Sequence, residues 1–388
     1  MDRETRHAQL AETYLPDDLL ERFRQRAAVY DRENRFFDDD LAELRERGYL
    51  RLFVPPSHGG PGLSLNEVSR LQRRLATAAP ATALAVNMHL MCTGVVAAMV
   101  ARGDRSLEYV FDEVNAGEIF AFGVSEPGND WVLQGSNTVA VPQDDGGYLL
   151  SGVKIFTSLS PVWTRLIVHG LDSTGEPQLV YGFIERDAAG ITVSDRWDVL
   201  GMRASQSRAT ILTDVRMRPD RVARRIAPGR VPDLLTFAIT SLFQLLIGSV
   251  YSGIAERALE LGAAALTTRR SAKADARYAE VPEFRARLAD ALMDYMAVPA
   301  QLDLYTREFD ELVDHGAGWP LRLVSARLNA STAARRACET ALMCASGAGF
   351  DNTHELSRLF RDATAGLFHP PSADAARPMY AAALLDDD

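Results

Sequence analysis

Apolar positions along the first 118 residues follow a helical rhythm. Pro16-Asp17-Asp18 opens a helix that runs to about Asp31. Phe36 to Gly48 forms a second, carrying Leu41 and Leu44 on one face and a glycine stop. The run from Val54 to Gly62, rich in proline and glycine, is turn punctuation. Leu65-Asn66-Glu67 starts a further helix, and Pro80 to Val100 is apolar on nearly all sides, the pattern of a buried helix. Over residues 119–228 the period shortens. Asn137–Val141, Tyr148–Ser151, Arg165–His169, Gln178–Phe183, Ile191–Val193 and Ala209–Leu212 are short alternating or β-branched runs between turns such as Asp144-Asp145-Gly146-Gly147. They predict a small antiparallel sheet or barrel. From residue 229 to 388 the helical period returns, over Asp233–Arg270, Pro282–Asp314, Pro320–Gly347, Glu355 to about Gly366 and one further segment. Long helices with short loops predict a four-helix bundle. Asp386-Asp387-Asp388 reads as a frayed tail.

Composition narrows the functional classes. With 388 residues, 47% hydrophobic and 24% charged, the chain is an ordinary globular protein with room for two or three domains. A net charge of −10 argues against nucleic acid and against an anionic membrane surface. No apolar run approaches the roughly 20 residues of a membrane span. The longest, Leu234 to Gly253, is broken by Thr240, Ser241, Gln244 and Ser249. The start, MDRETRHAQL, has no apolar signal region. Cys92, Cys338 and Cys344 form no CxxC pair and sit in apolar flanks, so buried thiols of a reducing cytoplasm are expected, and no metal site. Of the 42 basic residues only Lys154 and Lys273 are lysines. The arginines provide guanidinium groups suited to phosphates.

Several motifs, in order, carry a resemblance. Ser125-Glu126-Pro127-Gly128-Asn129-Asp130-Trp131 ends the first β segment. Ser151-Gly152-Val153-Lys154-Ile155-Phe156-Thr157-Ser158 follows, then Leu200-Gly201-Met202-Arg203-Ala204-Ser205-Gln206-Ser207. Gly253 precedes Arg269 by sixteen residues. Cys344-Ala345-Ser346-Gly347-Ala348-Gly349-Phe350 and Arg361-Asp362 close the set. Together they resemble the acyl-CoA dehydrogenase superfamily. Each motif has a plainer reading: a hairpin loop, an edge strand with an exposed Lys154, tight packing at Gly253, a surface cation at Arg269, a helix C-cap at residues 346–349.

The resemblance implies a mostly α protein with a central β domain: an N-terminal helical domain, a small antiparallel β domain and a C-terminal four-helix bundle. It implies a flavin whose ring lies against Val124, Ser125, Phe156, Thr157 and Ser158. Phe156 takes the place of the family's Trp, and Ser158 that of the Thr that meets flavin N5. Asn129 takes the place of a Ser that meets the pyrophosphate. Arg203 is implied to be structural, tying β loops to a carboxylate. Arg269 and the loop at Ser346, Gly347 and Gly349 are implied to hold the diphosphate arm of a partner subunit's cofactor. That favours FAD over FMN and a homodimer or homotetramer. The Phe-Gly that the family carries after the Arg is replaced by Ser271-Ala272-Lys273.

The same resemblance leaves the reaction open. The family removes a substrate α-proton with a carboxylate at one of two positions, and here these are Pro370 and Phe243. Neither can accept a proton. Three readings follow. In the first, the chain oxidises an acyl thioester, on CoA or as a small free molecule, with His369 as substitute base; an imidazole titrates near neutral pH. A histidine beside Pro-Pro is otherwise a turn or packing residue. In the second, it is a two-component monooxygenase of the same fold, using reduced flavin and oxygen, with His369 and Ser158 steadying the activated oxygen or orienting the substrate. Gly146-Gly147-Tyr148-Leu149-Leu150-Ser151-Gly152 and the His369 downstream of Arg361-Asp362 resemble that branch. In the third, the fold binds ligand without turnover. The redox partner is an electron-transfer flavoprotein in the first case and a flavin reductase in the second.

Overall fold

A computed structural model describes residues 2–386; Asp387 and Asp388 of the acidic end lie outside it. Six helices form the N-terminal part: α1 (Arg3–Tyr14), α2 (Asp17–Glu33), α3 (Asp38–Glu46), α4 (Leu65–Ala76), α5 (Pro80–Ala101) and α6 (Tyr109–Asn115). Ser64 caps α4 through a reciprocal bond set with Glu67. The Asp310 carboxylate accepts from the Leu65 and Asn66 amides, tying this helix to the C-terminal part. α5 is buried along almost its whole length, as its all-round apolar surface requires.

The middle part holds β1 (Phe120–Gly123), β2 (Val139–Pro142), β3 (Tyr148–Thr157), β4 (Arg165–Asp172), β5 (Gln178–Glu185), β6 (Ile191–Val193), β7 (Arg208–Met217) and β8 (Val222–Ile226). The main strand path is β6-β7-β3-β2-β4-β5-β8, with β1 on β4. The sheet is mixed, because β1 and β2 both pair with β4 in parallel; the antiparallel expectation holds only for the remaining pairs. β1 is the β segment that Ser125-Glu126-Pro127 closes, and β8 is an addition to the expected strands. β3 carries two irregularities against β7, between Leu150 and Gly152 and between Lys154 and Thr157.

The C-terminal part consists of α7 (Leu234–Thr268), α8 (Pro282–Asp310), α9 (Trp319–Ala345), α10 (Glu355–Thr364) and α11 (Ala373–Leu385). A two-residue ribbon, β9 (Arg270–Ser271) with β10 (Ala276–Arg277), joins α7 to α8. The three long helices and α10 make the bundle, and α4 and α5 pack on α7, so α7 is buried from both sides. By length and hydropathy α5 and α7 do reach the dimensions of a membrane span, contrary to the sequence expectation. Both are largely buried inside the molecule. All three cysteines are buried free thiols.

Candidate flavin site

The loop before β2 is organised around one buried carboxylate. Glu126 accepts from the Asn137 and Thr138 amides, the Thr138 and Ser136 hydroxyls and the Asn129 side chain. Its counter-ion is Lys154 Nζ at 2.6 Å, which also donates to the His169 carbonyl. Burial pushes the Glu126 carboxyl up, yet Lys154 and the hydrogen bonds outweigh it and hold the group at about 2. Burial draws Lys154 down to about 8, with Glu126 opposing, and His169 down to about 4. Lys154 is therefore no exposed edge-strand cation; it has no exposed surface. Gly152 is needed opposite this loop, since a Cβ there would sit 2.8 Å from Thr138 Cα. Asn129 is spent within the loop, donating to Glu126 and the Gly135 carbonyl and accepting from the Trp131 amide. A pyrophosphate contact by its side chain would have to break those bonds.

At the end of β3 the second irregularity turns one side chain outward. Phe156 adopts φ 56° and is 57% exposed, edge-on to Trp197 with ring centroids 6.3 Å apart. Beside it the Ile155 amide donates to the Ser125 carbonyl at 2.8 Å, so Val124-Ser125 and Phe156 share one margin of the sheet. Thr157 points inward, fully buried with its hydroxyl unpartnered. Ser158 Oγ lies 2.7 Å from Ser207 Oγ, which lies 2.8 Å from Ser205 Oγ. The turn bearing those two serines is docked on α10: the Met202 amide donates to Asp362, and Gly201 packs on the Arg361 carbonyl. Arg203 donates to the Asp31 and Val199 carbonyls and stands 3.8 Å from the Asp198 carboxylate, while the Asp31 carboxylate is taken by Arg361.

Both base positions of the resemblance meet around His369. The Phe243 ring stands 6.1 Å from the imidazole, nearly perpendicular, and Gln244 donates to the Pro370 carbonyl at 2.9 Å. Arg327, fully buried, donates from Nε to Gln244 Oε1 at 3.0 Å and from a terminal nitrogen to the Pro371 carbonyl. Gln244 and Arg327 thus clamp the His369-Pro370-Pro371 turn. His369 Nε2 is 2.7 Å from the buried Tyr251 hydroxyl. Burial first, and the Arg327 charge second, hold the imidazole down at about 3. This corrects the substitute-base expectation. A group with so low an affinity for protons is a poor base near neutral pH, although it remains a hydrogen-bonding imidazole.

Arg269, Ser346, Gly347 and Gly349 gather elsewhere, at the α7–α9 end of the bundle. Arg269 donates to the Cys344 carbonyl at 2.7 Å and stacks on Tyr278 at 4.8 Å. Ser346 adopts φ 57°, and a Cβ on Gly347 would meet open space. Eighteen helical residues separate Tyr251 from Arg269, roughly 27 Å. Within one chain the two sets serve different regions. Sequence reasoning missed Tyr251, Arg327, Ser205 and Ser207 as site residues. The two serines stood in a quoted motif, and Gln244 stood only as a polar break in the apolar run.

Residues 16–105, 121–215 and 245–371 match the N-terminal, middle and C-terminal domains of acyl-CoA dehydrogenases. The amino sugar nitrososynthase DnmZ of Streptomyces peucetius is 30% identical over 91% of this chain and 88% of its own length. The chain belongs to the acyl-CoA dehydrogenase superfamily. YdbM of Bacillus subtilis (strain 168), which carries a provisional acyl-CoA dehydrogenase name, is 25% identical over 92% of both chains. The solved structure of KijD3 in complex with FMN and dTDP-3-amino-2,3,6-trideoxy-4-keto-3-methyl-D-glucose superposes with a TM-score of 0.83 at 26% identity, over 95% of this chain and 91% of that one. Members of this superfamily are flavoproteins, and the residues here fit a flavin: an outward aromatic plane at Phe156, a buried hydroxyl at Ser158 and the backbone of Val124-Ser125 share one margin.

Proposed function

We propose that this chain is the oxygenase component of a two-component flavin-dependent monooxygenase. The observation that carries this reading is the convergence of Phe243 and Pro370, neither a proton acceptor, on an imidazole held neutral. Thioester α,β-dehydrogenation needs a base at that spot; oxygen transfer does not. The similarity to a nitrososynthase over nearly the whole chain supports the same side.

When bound, the reduced flavin supplies the electrons that activate oxygen. Phe156 and the Val124-Ser125 backbone flank the ring edge, and Ser158 gives it a fixed hydroxyl. Tyr251, whose ionisation burial suppresses, pairs with His369 Nε2; when its hydroxyl is the donor, the imidazole proton sits on Nδ1, which is free among the described residues to orient a polar substrate atom. The substrate is a small molecule. The reduced cofactor arrives from a separate flavin reductase in the cytoplasm. Arg269 and the residue 346–349 loop, too far along α7 to serve their own chain's ring, address a second copy in a homodimer or homotetramer.

The test supplies NADH and an unrelated flavin reductase with FMN or FAD to the protein in air, with amino-sugar nucleotides, thiophenes and amines as substrates. Products carrying added oxygen are expected, with a loss of at least tenfold in His369→Ala. Anaerobic bleaching of bound flavin by acyl-CoA thioesters, without oxygenated product, would return the chain to the dehydrogenases.

A further inference from the structure

Arg327 lies on α9 with no exposed surface, and no carboxylate pairs with it among the described residues. Its Nη1 has no hydrogen-bond partner. A buried cation without a counter-charge is costly to the fold. Burial draws the guanidinium down to about 10, which leaves it charged at neutral pH. A lysine in its place would shed the proton more readily.

The side chain holds the backbone that follows His369. Pro370 and Pro371 carry no N–H, so this turn can offer only carbonyls. Arg327 donates to the Pro371 carbonyl. Its Nε also fixes the Gln244 amide, so that the Gln244 nitrogen donates to the Pro370 carbonyl at 2.9 Å. Two carbonyls meet two donors, one from α7 and one from α9.

The imidazole itself is only half-buried. The titratable groups around it come from four elements. Tyr251 of α7 shares a hydrogen bond with Nε2. Arg327 of α9 opposes a proton on the ring. Asp362 of α10, 3.9 Å from Arg358, acts on Tyr251, and Tyr380 of α11 acts on Arg327. Among the described residues no carboxylate stands against the ring to favour an imidazolium. An acid at position 244 would pair with the guanidinium and cancel its field. The glutamine there keeps the geometry and leaves the charge whole.

We propose that Arg327 is a positioning residue for His369: through Gln244 and the Pro371 carbonyl it fixes the turn, and its uncompensated charge reserves the imidazole for hydrogen bonding through the neutral and mildly acid range. The inference rests on the reading above only in placing His369 at the site. It does not depend on which molecule is oxidised, or on whether oxygen is transferred.

The test follows the imidazole NMR signals of the whole chain, labelled at histidine, as pH is lowered from about 8 to about 4.5. The proteins are the wild type, Arg327→Met, Arg327→Gln and Gln244→Met, and the His369 signal is identified by its loss in His369→Gln. In the wild type that signal is expected not to titrate over this range. In Arg327→Met and Arg327→Gln the charge is gone. The proton affinity of His369 should then rise at least tenfold, about one pH unit, and its signal should begin to move before the acid end of the range. Arg327→Gln keeps a hydrogen-bonding side chain and serves if Arg327→Met does not fold. Gln244→Met breaks one arm of the clamp but keeps the charge, and should titrate as the wild type does. An equal shift in Gln244→Met would mean that loosening the turn, and not losing the charge, lets the proton on, and the proposal falls. It falls also if neither Arg327 variant shifts, or if His369 of the wild type titrates near neutrality. These signals are read without flavin, substrate or turnover. A wild type that makes no oxygenated product therefore overturns the functional reading and leaves this one standing.

Discussion

With no atom exposed, the Lys154 ammonium has exchanged water for the Glu126 carboxylate and the His169 carbonyl. Its removal would leave Glu126 buried with amide and hydroxyl donors but no counter-charge, and such a half-pair costs about 3–5 kcal/mol. Lys154→Met is expected to lose roughly that much in urea unfolding of the β domain. The double variant Lys154→Met, Glu126→Gln should recover part of it, because the orphaned charge is gone. A loss below about 1 kcal/mol in the single variant would mean that the amides alone hold the loop. The importance of Lys154 was legible in the motif, but its burial was not. Its partner lies 28 residues back along the chain, and the irregularities in β3 break the alternation that assigns strand faces. His369 was legible as the one titratable group beside Pro370. Its neutrality was not, since it depends on Arg327 and on burial beneath α7, both set by tertiary packing.

Helices were the readable elements. Expected spans Asp233–Arg270 and Pro282–Asp314 are observed as Leu234–Thr268 and Pro282–Asp310, because a helical period repeated over many turns averages out single exceptions. Strand β8 was missed, and β1 was placed only by the motif that ends it, both for local reasons. Phe120–Gly123 is buried throughout and shows no alternation, while Val222–Ile226 includes Arg224 and Arg225. The parallel pairing on β4 could not be read at all, since it joins segments distant in sequence. Gly253 shows the reverse, an element-scale constraint visible in a single letter. A Cβ there would drive into the Arg73 carbonyl of α4 and lie 2.8 Å from Ala76 Cβ. Gly253→Ala should gain up to about 1 kcal/mol in helix propensity and still lower the thermal midpoint, as forced separation of packed elements costs about 1–3 kcal/mol. Gly262→Ala on the same helix, whose nearest neighbours stand at 3.3 Å, should be milder. If both variants are equally stabilised, the α4–α7 contact is looser than the geometry requires.

Six groups with displaced proton affinities, four of them fully buried, bear on the response of the molecule to acid, and they oppose one another three by three. His89 and His169 are held at about 4 and His369 at about 3, in each case chiefly by burial. As pH falls below 6.5 the unfolded chain takes up protons that these folded imidazoles refuse, so stability is lost down to their folded values. Burial also holds Asp40 at about 7, and Asp310 and Asp362 at about 6. Those carboxyls are protonated in the folded state while the unfolded chain still ionises them, so stability is gained as pH falls from about 7 to 3.8. Near pH 5 the two sets cancel. Acid loss then begins with groups of the opposite kind, whose folded values are depressed: Asp104, held at about 2 by the Ser106 hydroxyl and then Arg224, and Glu126 at about 2. Their stabilisation is complete above the ordinary carboxylate range and disappears as pH falls toward 2. Unfolding free energy is therefore expected to be nearly flat from pH 6 to about 4.5 and to drop steeply below. Asp362→Asn removes one fully buried member of the balancing set. It should uncover a loss on acidification of about 1.4 kcal/mol per pH unit between pH 6 and 4. A wild-type protein that loses stability steadily from pH 6.5 would show that the buried aspartates are ionised in the fold and that the histidines act unopposed.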